Sequence, residues 1–229
     1  MRKSLVKRED QGKYFWELRS CAYWQEFEQP KVLYPDIYEH QSFAWDVAGF
    51  FSVNTTYFIP TPEQWLAALL NSTSIEWFYT QVSNKVRGGY LRAFSDYIKQ
   101  IPIPAATPDQ QRLCERLAEA LIFLHGPAAK KAKGAPSDPM TAHLEQWLNG
   151  LVYELFFAGE LHARRLRLFD ETAKLNPPEL AKVSEGQKLA RVQELCDASR
   201  PRLGAMLAEL KKLDAVRAIE EAAGVGATG

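Results

Sequence analysis

The chain has 229 residues, 46% of them hydrophobic and 24% charged; this is ordinary globular composition and excludes disordered and collagen-like classes. Its 28 basic and 28 acidic residues cancel, so a nucleic-acid or membrane partner must be met by a local patch, not by the average surface. The three cysteines, Cys21, Cys114 and Cys196, are odd in number, far apart and without CxxC spacing, which argues against a disulfide framework or a zinc site and fits a reducing cytoplasm.

At the N-terminus, Met1 to Asp10 place charges where a signal peptide needs an apolar run. Apolar stretches such as Trp65 to Leu70 fall far short of the roughly 18 to 20 residues of a membrane span. A soluble, cytoplasmic protein with no membrane partner is the expectation. Up to about Pro104 the chain is rich in aromatics, prolines and β-branched residues; beyond it Ala, Leu, Glu, Lys and Arg dominate. This shift predicts two domains, 1–104 and 105–229.

Within the first, Lys31 to Tyr34 ending at Pro35, Thr56 to Ile59 ending at Pro60, and Ile101 to Pro104 are expected as short strands, with the prolines at edges or ends. Thr61, Pro62 and Gln64 have the pattern of a capping box, predicting a helix from Pro62 to about Leu70. Asn71 to Ser74 interrupt it, and Ile75, Phe78, Tyr79 and Val82 continue at helical spacing to near Ser83. This half is therefore mixed, and the fold class expected for the chain is α+β.

From Thr107, Pro108 and Gln110 onward the pattern is helical, with Leu113, Leu117, Leu121 and Leu124 on one face until Gly126 and Pro127. Residues 126–139, rich in Ala, Lys, Gly and Pro, are expected as a flexible loop. A further helix carries Leu144, Leu148, Leu151, Val152, Leu155 and Phe156. Leu189, Val192, Cys196, Ser199, Leu203, Met206, Leu210 and Leu213 then alternate three and four apart, the seam of a helical hairpin or coiled coil that offers a helix-mediated dimer. Pro201 should kink or restart that helix near Ser199, and 224–229 should fray.

Chemistry concentrates in Ser83 to Arg92, where Asn84, Lys85, Arg87, Gly88, Gly89, Tyr90 and Arg92 bring three cations, an amide, two glycines and an aromatic together without an acidic side chain. Cations here can neutralise phosphates, and an arginine or asparagine can read guanine or adenine edges. A solvated helix-to-strand turn explains the same residues equally well. Asn54 and Thr55, just before a strand, offer small polar groups to a base or phosphate, against the plainer reading of a turn bonding its own main chain. Tyr34 and Asp36, flanking Pro35, fit core packing and turn chemistry.

No phosphate-binding, zinc-protease or nucleophile-elbow motif occurs, and His40, His125, His143 and His162 are scattered. Asn176 to Glu179 approximates the Asn-Pro-Pro-aromatic signature of amino-methylating DNA methyltransferases, but its fourth residue is a glutamate and no glycine-rich cofactor loop precedes it; a helix start explains it better.

Five segments occur in order: Lys31 to Ile37, Asn54 to Ile59, Leu66 to Ser72, Gly88 to Arg92 and Ile101 to Pro104. Together they resemble the TaqI-like C-terminal specificity domain of Type IIG restriction enzymes and related adenine-specific DNA methyltransferases. Leu151 to Leu155, followed by Glu160 and Leu161, is similar to the Val-Tyr-Glu-Leu helix that follows this domain, extending the resemblance to about residue 165. The later helices are similar in kind to the spacers of Type I specificity subunits.

The resemblance implies sequence-specific recognition of double-stranded DNA on behalf of an S-adenosylmethionine-dependent methyltransferase, in Type IIG members joined to a nuclease. It places the family's Gly-Gly-Tyr-Leu-Arg turn at Gly88 to Arg92, with Lys85, Arg87, Tyr90 and Arg92 as leading contacts. It also implies that this chain is no enzyme by itself, holds no cofactor and partners a catalytic methyltransferase domain that would bind the S-adenosylmethionine. The alternative from another class is a protein-interaction module built on the C-terminal helices.

Overall fold

β1 (Lys31–Pro35) is the middle strand of a three-stranded antiparallel sheet, flanked by β3 (Ala44–Asp46) and β4 (Thr56–Pro60). The computed structural model describes residues 2–9, 11–17, 19–85, 89–127, 129 and 138–223. Lys31 pairs with Asp46 on one side and with Pro60 on the other, and Pro35 pairs with Thr56. Pro35 and Pro60 thus stand at strand ends, where a missing N–H costs no ladder bond. A second sheet has two strands, β2 (Ile37–Tyr38) and β5 (Leu91–Arg92), antiparallel with Ile37 opposite Arg92.

A buried ion pair ties the larger sheet to its loops. Lys31 Nζ lies 2.5 Å from Asp46 Oδ2, with both side chains essentially sealed from solvent, and it also donates to the carbonyl of Phe27 in a 3₁₀ turn, Trp24–Glu28. Asp46 accepts from the N–H groups of Ala48 (2.8 Å) and Phe50 (2.9 Å). Burial alone would raise its carboxyl pKa, but the hydrogen bonds from Lys31, Ala48 and Phe50 hold it below the usual value.

The helices are α1 (Arg2–Leu5), α2 (Trp65–Leu70), α3 (Thr73–Val82), α4 (Ser95–Ile98), α5 (Pro108–His125), α6 (Asp138–Ala163), α7 (Leu168–Leu175), α8 (Glu185–Ser199), α9 (Ala205–Leu210) and α10 (Asp214–Ala222). Small antiparallel sheets among many helices make the fold α+β. The box at Thr107 forms, its hydroxyl accepting from Gln110 N–H while Gln110 Oε1 accepts from Thr107 N–H. The one at Thr61 does not. Thr61 accepts from Glu63 N–H, and α2 begins only at Trp65, whose own N–H is bonded to the Glu115 carboxylate of α5 (3.2 Å). A tertiary bond therefore supplies the partner that a local cap would have provided.

Other expectations need correction. Ile101–Pro104 is not a strand, since Pro102 and Pro104 remove alternate donors from any ladder. The break between α2 and α3 is only Asn71 and Ser72; Ser72 caps α3 by accepting from Ile75 N–H, and Thr73 and Ser74 are helical. Asp138 and Pro139 belong to α6, not to a loop; residues 128, 130–137 and 224–229 lie outside the described residues. At Pro201 the chain passes through a π-type turn, Arg200–Gly204, a widened turn that tolerates a residue without N–H.

The leucine seam faces inward. Val192, Cys196, Ser199, Leu203, Leu210 and Leu213 are buried, and α8, α9 and α10 pack on α6, α7 and α3. Gly150 of α6 permits this approach, for a Cβ there would lie 2.7 Å from the methyls of Leu168 and Leu207. Glu154 in the Val-Tyr-Glu-Leu segment is buried, accepting from Phe169 N–H (2.9 Å) at the start of α7 and lying 2.7 Å from His162 Nε2. Asn176 is the left-handed C-cap of α7, and Arg116 donates to its side chain and to Pro177 O, both at 2.9 Å. The Asn-Pro-Pro segment therefore has a structural role here. No helix among the described residues is long and apolar enough to cross a membrane.

Lys31→Met leaves the Asp46 carboxylate buried without its counter-charge. The expected loss of unfolding free energy in urea is about 3 kcal/mol or more, and a loss under 1 kcal/mol would show that the pair is dispensable.

Candidate nucleic-acid interface

Asp36, between β1 and β2, joins the two candidate segments. Its N–H donates to Thr55 O (2.9 Å), and its carbonyl accepts from Ala93 N–H (2.8 Å). Its carboxylate lies 3.7 Å from the Arg92 guanidinium. The Asn54–Thr55 turn and the strand that carries Arg92 are thereby bonded to one residue.

The basic segment leaves α3 at Ser83 and returns as β5. Lys85 forms an antiparallel bridge with Leu91. Gly89 has φ +86 with open space where a Cβ would stand, a left-handed conformation that disfavours other residues on backbone grounds alone. Lys85 and Gly89 are exposed, and Tyr90 is 42% exposed. Asn84 donates to the phenol oxygen of Tyr97. Arg87 and Gly88 lie outside the described residues.

Arg92 differs from the simple expectation of a free cation. It is half-buried, its guanidinium carbon sits 4.3 Å from the centroid of the Phe94 ring, and Asp36 flanks it. The stretch 83–92 has no acidic residue in sequence, yet the fold brings in Asp36, fifty-six positions earlier, from the bend between β1 and β2. Arg92 Nε and Asp36 Oδ1 are both buried without a hydrogen-bond partner.

Beneath this surface the aromatic core fixes the turn. Tyr79 donates through its hydroxyl to Arg92 O (2.6 Å), and Ser83 Oγ donates to the same carbonyl (3.0 Å). Tyr38 lies against Tyr79, with ring centroids 5.8 Å apart, and Tyr34 lies against Tyr57 at 5.7 Å. Burial pushes the Tyr34 phenol up to about 12, helped by Tyr79 and Tyr57, and burial likewise raises Tyr38 and Tyr79. Tyr79 therefore remains a protonated donor at any physiological pH.

Asn54 and Thr55 are exposed at a turn closed by Thr56 N–H to Val53 O (3.0 Å) and braced by Ser52 Oγ to Thr56 O (3.2 Å). Tyr34 is core packing, as expected for an aromatic in a strand. An open cavity of about 370 Å³ is lined by Tyr57, Phe94, Ser95, Asp96 and Tyr97. None of these five was singled out as a contact from the sequence, although Tyr57 falls in the Asn54–Ile59 segment; Phe94 and Tyr97 had only their closeness to the basic turn as a signal.

A separate cluster of rings surrounds the 3₁₀ turn. Phe27 lies 4.9 Å from Phe51 and 4.5 Å from Phe58, with Tyr23 6.1 Å from Phe58. Trp24, Phe50, Phe51 and Val53 are each half or more exposed, a larger apolar surface than isolated exposed side chains create.

Residues 3–103 match the model of the TaqI-like C-terminal specificity domain. The resemblance carried by the five segments is thereby shown over this stretch, which contains every candidate contact. The match ends before the Val-Tyr-Glu-Leu helix. The chain is also similar to the Type II methyltransferase M.PaeR7I of Pseudomonas aeruginosa, 32% identical over 98 residues, covering 41% of this chain and 17% of that protein. The chain thus corresponds to a minor part of that relative's length.

Tyr79→Phe removes the stronger of the two bonds to Arg92 O. It should cost about 1 kcal/mol and speed amide hydrogen exchange selectively in residues 89–92; unchanged exchange there would show that Ser83 alone secures the turn.

Proposed function

We propose that this chain selects the DNA target sequence of a restriction-modification methyltransferase, through the face formed by the Ser83–Arg92 turn and the Asn54–Thr55 turn. The observation that carries the reading is the exposure of Lys85, Gly89 and Tyr90 beside the Lys85–Leu91 bridge, inside the stretch that matches a specificity domain. In this reading Asn84, Lys85, Arg87, Gly88, Gly89, Tyr90 and Arg92, with Asn54 and Thr55, contact the duplex. Lys85 and Arg87 meet phosphates and fix the register, while groove contacts supply the sequence choice. S-adenosylmethionine and the methyl transfer belong to a catalytic domain of the parent protein, this chain being no enzyme alone, and the cytoplasm is where it acts.

The exposed rings around Phe27 favour a protein partner as well. Their apolar, uncharged character suits a domain surface better than a phosphate backbone, and the parent's methyltransferase domain is the partner we assign to them. This differs from an interaction module built on the C-terminal helices, whose seam is buried within the chain; a helix-mediated dimer would have to use the outer faces of those helices.

Titration of the Lys85→Ala/Arg87→Ala variant against a duplex at several salt concentrations tests the reading. Affinity should fall, and the slope of log affinity against log salt should flatten by about 0.9 for each phosphate contact removed. Unchanged slopes would remove these cations from the interface, and no binding of the unaltered chain to any duplex at low salt would favour the interaction module. Calorimetry with S-adenosylmethionine should give no binding heat.

A further inference from the structure

The Arg92 side chain is held from two directions, and this bears on what it can read. Asp36 approaches one terminal nitrogen at 3.7 Å, and the Phe94 ring lies under the guanidinium at 4.3 Å. The backbone that carries it is equally fixed, with Arg92 O accepting from Tyr79 and Ser83, and Ala93 N–H donating to Asp36 O. A long arginine side chain on a free surface samples many rotamers, and ordering it costs conformational entropy. Here that ordering is made before any ligand arrives. The carboxylate and the ring together restrain the plane of the fork, as bidentate donation to a phosphate or to a base edge requires.

We propose that Arg92 is a specificity-determining residue that reads a guanine, its fork donating to the N7 and O6 edge in the major groove, and that Asp36 and Phe94 are the residues that position it. The inference rests on the reading of this face as a DNA interface and adds a base identity to it. Two features separate Arg92 from the flanking cation. Lys85 is exposed, as suits a phosphate contact, whereas Arg92 has only 28% of its side chain exposed. The buried Arg92 Nε and Asp36 Oδ1 also lack partners, so the ion pair is incomplete in the free protein.

The plainer role is a cross-strand ion pair that stabilises the two-stranded sheet, since Ile37 is opposite Arg92. The two roles part on base preference. The full chain is used to select from a pool of duplexes with a randomised core, and the retained sequences are read. Arg92→Lys keeps the charge beside Asp36 but loses the planar fork, Asp36→Asn removes the positioning charge, and Phe94→Ala removes the ring at a site 43% exposed, where folding is little affected. Lys99→Ala, an exposed cation on the neighbouring helix end, serves as control.

The unaltered chain should prefer guanine at one or more positions. Arg92→Lys should abolish that preference at one of them by roughly 5- to 150-fold, Asp36→Asn and Phe94→Ala should weaken it at the same position, and Lys99→Ala should leave it in place. Equal loss at every position, accompanied by a lower melting temperature, would show a structural ion pair and overturn the proposal. So would a profile unmoved by all three variants, or one with no guanine preference. Failure of the unaltered chain to bind any duplex would overturn the DNA-interface reading itself, and the inference with it.

Discussion

Asp36 is the residue through which the candidate interface becomes one object. It uses its three polar groups on two segments: the N–H on the Asn54–Thr55 turn, and the carbonyl and carboxylate on the adjacent Ala93 and Arg92. Without it the two turns would be separate loops attached to different elements. The residue lies immediately after a proline that ends β1 and immediately before β2, so its backbone is free to bond outward in both directions. What began as a turn aspartate therefore acts as a junction, and the position of the only described arginine in the basic turn depends on it.

The scaffold beneath this junction is aromatic and polar in a specific division. Tyr34, Tyr38 and Tyr79 fill the space under the turn with phenols that burial keeps protonated, while Lys31 and Asp46 anchor the other end of β1, against β3, with charges. Removing one charge of a buried pair is costly because the other remains unsolvated. The sheet is accordingly fixed at both ends of β1 by interactions that cannot slide, which keeps register in strands of only two to five residues. Such short strands have little ladder of their own to enforce pairing.

Much of this frame was legible in the sequence. β1 and β4 were marked by β-branched and aromatic residues ending in proline, α5 by a complete capping box, and α3 by its apolar spacing. The basic turn was visible as composition. The false box at Thr61 and the apparent strand at Ile101–Pro104 show the limit of local rules: Glu115 satisfies Trp65 from another helix, and alternate prolines cannot form a ladder. β2, β3 and β5 are too short to carry a period. The Asp36–Arg92 contact joins residues far apart in the chain, and nothing in either neighbourhood announces the other. The exposed rings at Trp24, Phe50 and Phe51 were likewise invisible as a surface, since an aromatic-rich segment predicts burial.

The packing of α10 on α3 has a consequence for engineering. Helix α3 feeds directly into the basic turn, and its flank is covered by a segment more than a hundred residues later in the chain. Thr73 N–H is likewise bonded to Asn149 of α6 (2.9 Å). Transplanting the specificity stretch alone into another host would strip that flank bare and leave its backbone donor unmet. A chimera built on residues 3–103 would have to carry the trailing helices along, or supply substitutes that cover the same flank of α3.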